Sequence, residues 1–350
     1  MSALTMPTRS EPEANLRPVP WRNMAWVTWR QHRLTLAGVL ALFGAAAMYL
    51  LISGLPMHHA YATVAACRPI TSGICRQVAV NFLGNYAPGV GYVVGLLHVI
   101  PALIGAFAGA PVLAREFETG TFRYAWTQGF GRARWTIAKL TLLAVAVTAA
   151  AAAFSVLFTW YYQPLIGAGD DNGPLSPAIF DLRGIAVVAW TLAAFAIGVL
   201  AGTLIRRVIP AMFATIAVWA GLAFATGAYL RAHYLAPLLT TNPNVRSPAW
   251  VISQWWTRGG KPVTLDTINK TLGAVDVRAI TLGVFQPGPA TPANFGDPVR
   301  YLIAHGYLQL TRYQPTSRYW PFQGIESGWL FALSVLLLGT TVWLVSRRAT

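Results

Sequence analysis

Charge is scarce in this sequence. Only 11% of the 350 residues are Asp, Glu, Lys or Arg, against about 25% in an ordinary soluble domain. Acids are scarcest of all, with eleven Asp and Glu. A water-soluble globule needs a charged surface, and so few charges cannot cover one of this size. Two cysteines rule out a disulfide scaffold, and ample apolar mass rules out a collagen-like or disordered chain. What is abundant is apolar: 55% of the residues are hydrophobic and the mean hydropathy is +0.49. The composition therefore describes an integral membrane protein. Its net charge of +15 reads first as membrane topology and lipid contact, not as nucleic-acid affinity.

A helix needs about 20 apolar residues to cross a bilayer, because lipid offers no partner to a bare peptide group. Six stretches meet that need: 34–55, 89–114, 140–161, 184–204, 208–230 and 328–345. No Asp, Glu, Lys or Arg sits at the centre of any of them, and His98 is the one titratable residue inside. The pairs Gly91/Gly95, Gly105/Gly109 and Gly198/Gly202 have the spacing that lets helix backbones approach closely.

Basic residues orient such a chain, since short cytoplasmic loops are enriched in Lys and Arg. The N-terminus, the links after spans two and four, and the C-terminus together hold fourteen of the 26 bases and four of the eleven acids. The short link after span three is acidic, with Asp170, Asp171 and Asp181 against Arg183. This predicts both termini in the cytoplasm. Residues 1–20, rich in Pro, Glu, Ser and Arg, are expected to be a disordered cytoplasmic tail. Residues 21–33 interleave Trp and Arg and are assigned to an interfacial segment, an ordinary juxtamembrane anchor or an elbow helix along the inner leaflet.

The link at 115–135 carries the most information. Glu116 and Glu118 stand at the bilayer edge, and Gly120 breaks the preceding helix. Thr119 or Thr121 can cap a short new helix that places Phe122, Ala125 and Trp126 on one face. Arg132, Arg134 and Lys139 mark re-entry into the membrane. Such a segment either docks in a partner's groove or is a solvated loop with interfacial aromatics.

On the other side, Cys67 and Cys75 are close enough in sequence to close a small disulfide; the alternative is two free thiols. His58 and His59 are adjacent and point apart, so no metal site is expected. The outer region, 231–327, has too few apolar residues for a large core of its own and should cap the outer face. Asp297 and Pro298 open a short helix that stops at Gly306, and Tyr307–Tyr313 alternates like a strand.

Three motifs then bear a resemblance. Trp26-Val-Thr-Trp-Arg-Gln-His-Arg33, Gly109-Ala-Pro-Val-Leu-Ala-Arg-Glu-Phe-Glu-Thr-Gly-Thr-Phe-Arg-Tyr-Ala-Trp-Thr-Gln128 and Tyr313-Gln-Pro-Thr-Ser-Arg-Tyr-Trp-Pro-Phe-Gln-Gly-Ile-Glu326 resemble ABC-2 type transporter permeases of high-GC Gram-positive bacteria. The resemblance runs nearly end to end, and the middle motif is its most specific part. It implies an all-α polytopic fold of the type V exporter kind, with six transmembrane helices, cytoplasmic termini and a long extracellular segment between helices five and six. Spans one to five would occupy 34–230, and the sixth span with its cytoplasmic tail 328–350.

The implied function is the permease subunit of an exporter in the plasma membrane. Its coupling residues would be Glu116, Glu118, Gly120, Thr121, Phe122, Arg123, Trp126 and Arg132. The implied partners are a cytoplasmic ABC ATPase, a second permease subunit, identical or related, and membrane lipid, with no nucleic acid. The chain has no phosphate-binding Gly-x-x-x-x-Gly-Lys-Ser/Thr loop; Gly259-Gly-Lys-Pro262 only mimics one. No enzyme activity and no cofactor are expected in it, ATP and Mg belonging to the partner. Two other readings share the scaffold: a non-transporting sensor or immunity protein, and an outer-leaflet membrane enzyme. For the latter the outer acids Asp266, Asp276, Asp297 and Glu326 form no motif.

Overall fold

The computed structural model describes residues 21–67, 73–120, 132–170, 173–241, 249–273 and 302–348. The tail at 1–20 and the start of the helix expected at 297 fall outside those residues. Among the described residues, six helices are long and apolar enough to cross a membrane. They are built from α1 (Trp21–Ala66), α2 (Gly73–Leu97) with α3 (Ile100–Ile104) and α4 (Pro111–Thr119), α5 (Arg132–Ala168), α7 (Ala186–Ile205), α8 (Val208–Ala225) and α10 (Tyr319–Arg348). A short α6 (Pro177–Phe180) lies in the link before α7. Six crossings return the chain to the side on which it began. Trp21, Arg348, the helix ends at Gly120 and Arg132 and the α7–α8 turn therefore share one end of the bundle. The helix ends at Ala66 and Gly73, the described residues of 168–186 and those of 234–316 share the other, labelled outer below after the expected orientation.

Several helices outrun their apolar cores. α1 has 46 residues, ~69 Å at 1.5 Å per residue, against about 30 Å of hydrocarbon. The elbow expected at 21–33 is absent as a separate element: these residues are the first turns of α1. No Gly or Pro in 21–33 interrupts the backbone ladder. The sixth helix starts at Tyr319, not near 328. Pro321 falls in its first turn, where a missing N–H costs nothing.

Span two is broken where α7 needs space. His98 and Val99 form a turn, and Gly105–Gly109 is π-helical, with Ala110 N–H donating to the Gly105 carbonyl at 2.9 Å. Pro111 lacks the N–H that an α-helical ladder would use next. The bulge puts backbone against backbone. A Cβ on Gly198 would lie 2.1 Å from the Gly105 carbonyl oxygen, and one on Gly202 would lie 2.2 Å from that of Ala110. Two of the three small-residue pairs thus face each other, while Gly91 and Gly95 have nothing within 4 Å. The main core threads α1, α2, α5 and α7 through Phe43, Leu50, Phe82, Phe154, Phe158 and Phe195.

The outer segment corrects the all-α expectation. β1 (Leu238–Thr240), β2 (Trp250–Arg258), β3 (Lys261–Val263) and β4 (Tyr307–Gln314) form an antiparallel sheet of order β1-β4-β2-β3. The strand read from Tyr307–Tyr313 is β4, with Tyr307, Gln309 and Thr311 buried. Short α9 (Leu265–Gly273) packs there through Ile268, with Leu302, Tyr307, Trp256 and Val263 completing a small core. Residues 302–304 are helical and Gly306 takes a φ of +80°, a stop that glycine tolerates. Trp250 and Tyr234 pack on Phe322 of α10, so the sheet sits on the bundle.

Candidate functional site

Two buried ionic clusters stand out, one at each end of the bundle. The first lies at the base of the 115–135 link. Gly120 ends α4 in the left-handed conformation at φ 70°, as glycine permits. Of the residues assigned to coupling, Thr121, Phe122, Arg123 and Trp126 lie outside the described residues, as does the side chain of Arg132, which opens α5. Glu116, Glu118 and Gly120 are described. Glu116 Oε1 lies 2.5 Å from Lys139 Nζ, and the lysine is 1% exposed. The same ammonium donates to the Val112 carbonyl at 3.2 Å and lies 4.8 Å from the centroid of Trp135. A buried ammonium needs this much compensation, because removing a charge from water costs several kcal/mol or more. Glu118 points elsewhere: its Oε2 accepts from the N–H of Val208, the first residue of α8, at 3.4 Å. Arg206, at φ 58° in the α7–α8 turn, lies 5.6 Å from the ring of Phe117. The last turn of α4 is therefore fastened to α5 on one side and to the α7–α8 turn on the other.

The second cluster was hidden in the sequence. Arg231 was read there as the first residue of the outer region; in the structure it is 1% exposed, and Glu326 is 0% exposed. The guanidinium binds Glu326 twice, Nε to Oε2 at 2.9 Å and Nη2 to Oε1 at 2.7 Å. Its Nη2 also donates to Asp181 Oδ1. Trp190 of α7 donates from Nε1 to Glu326 Oε1 at 2.8 Å, and Phe180 places its ring 4.5 Å from the guanidinium carbon. Gln323, one turn before Glu326, accepts from the N–H of Ala186 at 2.8 Å and donates to the carbonyls of Phe180 and Arg183. It serves as a borrowed N-cap for α7. The signal available in the sequence was the sign and place of the charges. Asp181, Arg231 and Glu326 stand at the same end of three successive spans.

Elsewhere, Cys67 and Cys75 are joined as a disulfide between α1 and α2. His58 stacks on Trp160 at 4.4 Å and bonds its carbonyl through Nε2 at 3.0 Å. His98 bonds the Val94 carbonyl at 2.7 Å through Nδ1. Among the described residues no group of His, Cys, Asp or Glu is arranged to hold a metal.

These features fit a known membrane family. The profile of the family described as "ABC-2 membrane transporter related" matches residues 39–231, more than half of the chain. The chain belongs to that family. It is a multi-pass membrane protein of the ABC-2 permease type, a transport component. The matched stretch takes in most of α1 and every helix through α8, including the whole 115–135 link, and stops at Arg231. The ABC-2 match thus covers the inner cluster completely and the outer one in part. No curated protein and no solved structure matches the chain.

Proposed function

We propose that the chain is the permease subunit of an ABC exporter in the plasma membrane, with both termini cytoplasmic. A separate ATPase subunit binds ATP and Mg and drives it, and a second permease half, identical or related, completes the path. The observation that carries this reading is the fastening of the 115–135 link. Lys139 and Glu116 tie its two ends together, and Glu118 and Arg206 tie it to spans four and five. A push on that link would be passed to four helices at once instead of being lost in a loose loop. Thr121, Phe122, Arg123, Trp126 and Arg132 are the link residues assigned to contact the ATPase. Cargo would cross between the two halves by alternating access, with the 231–327 segment over the extracellular mouth.

The test is co-expression with candidate ABC ATPase subunits from the same genome, followed by purification in lipid nanodiscs. The ATPase should copurify, and its turnover should fall at least tenfold with Phe122→Asp while membrane insertion is retained. Unchanged turnover and unchanged copurification in that variant would overturn the assignment of the docking face. A tag in the link that is reached from outside intact cells would overturn the orientation.

A further inference from the structure

The outer cluster holds more acid than its base can neutralise. One guanidinium serves two carboxyl groups, Asp181 from the link before α7 and Glu326 from the first turns of α10. Both acids meet at one nitrogen: Arg231 Nη2 donates to Glu326 Oε1 at 2.7 Å and also to Asp181 Oδ1. Two ionised carboxylates gathered on one guanidinium leave a negative charge that nothing cancels, and a proton on one of them removes it. Glu326 is committed as the anion: it takes two bonds from Arg231 and one from Trp190. Asp181 keeps 23% of its side chain open, so the proton has a route from the outer surface.

We propose that Asp181 and Glu326 form a proton-binding site at the outer end of the bundle, and that the bound proton holds the outer ends of α7, α8 and α10 together. With the proton in place the cluster is neutral. Without it, two carboxylates face one arginine in a site where Glu326 has no water to share its charge, and like charges so close repel strongly.

The surroundings agree. Burial pushes the Asp181 carboxyl up to about 7, against the pull of Arg231 and with Glu326 adding to the rise. Among the described residues, the other charged or titratable groups facing the cluster are few. Tyr234 follows α8 and accepts from Trp329 Nε1 at 3.0 Å. His98, in the turn between α2 and α3, feels the charge of Arg231. Arg183, on the same link as Asp181, lies 5.9 Å from the ring of Tyr319. None of these is an acid that could take the place of Asp181 or Glu326. The sign of the linkage follows. The folded chain holds this proton at a pH where an unfolded aspartate has released it. The stabilisation is therefore complete below the ordinary aspartate range and is lost as pH rises through about 7.

The reading is independent of any ATPase, and the test uses the purified full chain alone in nanodiscs. Infrared difference spectra between pH 5 and pH 9 should show one protonated carboxyl band that vanishes at high pH. That band should be missing in both Asp181→Asn and Glu326→Gln. Tryptophan emission should titrate with a single inflection near pH 7. Trp190→Phe should remove most of that change and Asp181→Asn all of it. The apparent Tm of the wild type should fall between about pH 5 and pH 7 and level off above that, while that of Asp181→Asn, which mimics the protonated acid, stays level. A wild-type chain with no carboxyl band titrating between pH 5 and 9 overturns the proposal, whatever the variants do. So does an inflection near pH 7 that survives Asp181→Asn.

Discussion

Lys139 and Glu116, 23 residues apart, meet at 2.5 Å inside the protein and close the base of the link between spans two and three. The lysine has no water to fall back on, so the pair cannot be dismantled one side at a time. Glu116→Gln or Lys139→Met alone leaves a buried charge or acceptor without its partner and should cost about 3–5 kcal/mol. The double variant, which removes both charges, should recover most of that loss. Thermal melts of the four proteins in one detergent give the coupling energy directly. Additive losses would show that the pair does not act as a unit.

Glycine substitutions should separate chance spacing from real contact. Gly198→Ala would drive its Cβ to 2.1 Å from the Gly105 carbonyl oxygen, and Gly105→Ala would meet the Ala194 carbonyl at 2.4 Å. Neither neighbour is a flexible side-chain end, so helices must move apart, and the monodisperse fraction on fluorescence-detected size exclusion should collapse. Gly91→Ala and Gly95→Ala meet nothing within 4 Å. They should be neutral or raise stability by about 0.5–1 kcal/mol each, since glycine weakens a helix interior. Equal behaviour of all four variants would refute the packing.

The Cys67–Cys75 bridge closes a separation of eight residues. A loop of that length implies a stabilisation of about 2–3 kcal/mol through the unfolded chain. Cys67→Ser/Cys75→Ser should lower the apparent Tm by a few degrees without loss of insertion. Reduction of the wild type should give the same shift, and no shift in either would argue that the long α1–α2 pair is held by packing alone.

Much of the architecture was legible in the chain order. Spans are a property of local runs, and an apolar run of about 20 residues has one low-energy fate in lipid. Run length gave the six candidate spans, the helix-breaking Gly120 gave the end of α4, and alternation gave the strand at Tyr307–Tyr313. Helix ends were less legible. In 21–33 and around Pro321 polar or aromatic residues continue a helix that hydropathy alone cuts short. The outer sheet was missed because β1 and β3 have three residues each, too short to show alternation, and because β1 and β2 pair with β4, more than 40 positions away in sequence.

The sequence by itself determined that this is a six-span membrane protein with the signature of an ABC-2 permease. Composition, hydrophobic run length and one contiguous motif suffice for that, and none needs to know what touches what. Only the tertiary structure decided where the charges go. Arg231 and Glu326 are 95 positions apart and Trp190 and Glu326 are 136 apart, and each taken singly reads as an ordinary residue at the membrane surface. A buried ion pair exists only when folding brings both members out of water together, because neither alone could bear the desolvation. Which spans lie side by side is set by close fit, such as Gly198 against Gly105, and no local pattern encodes it.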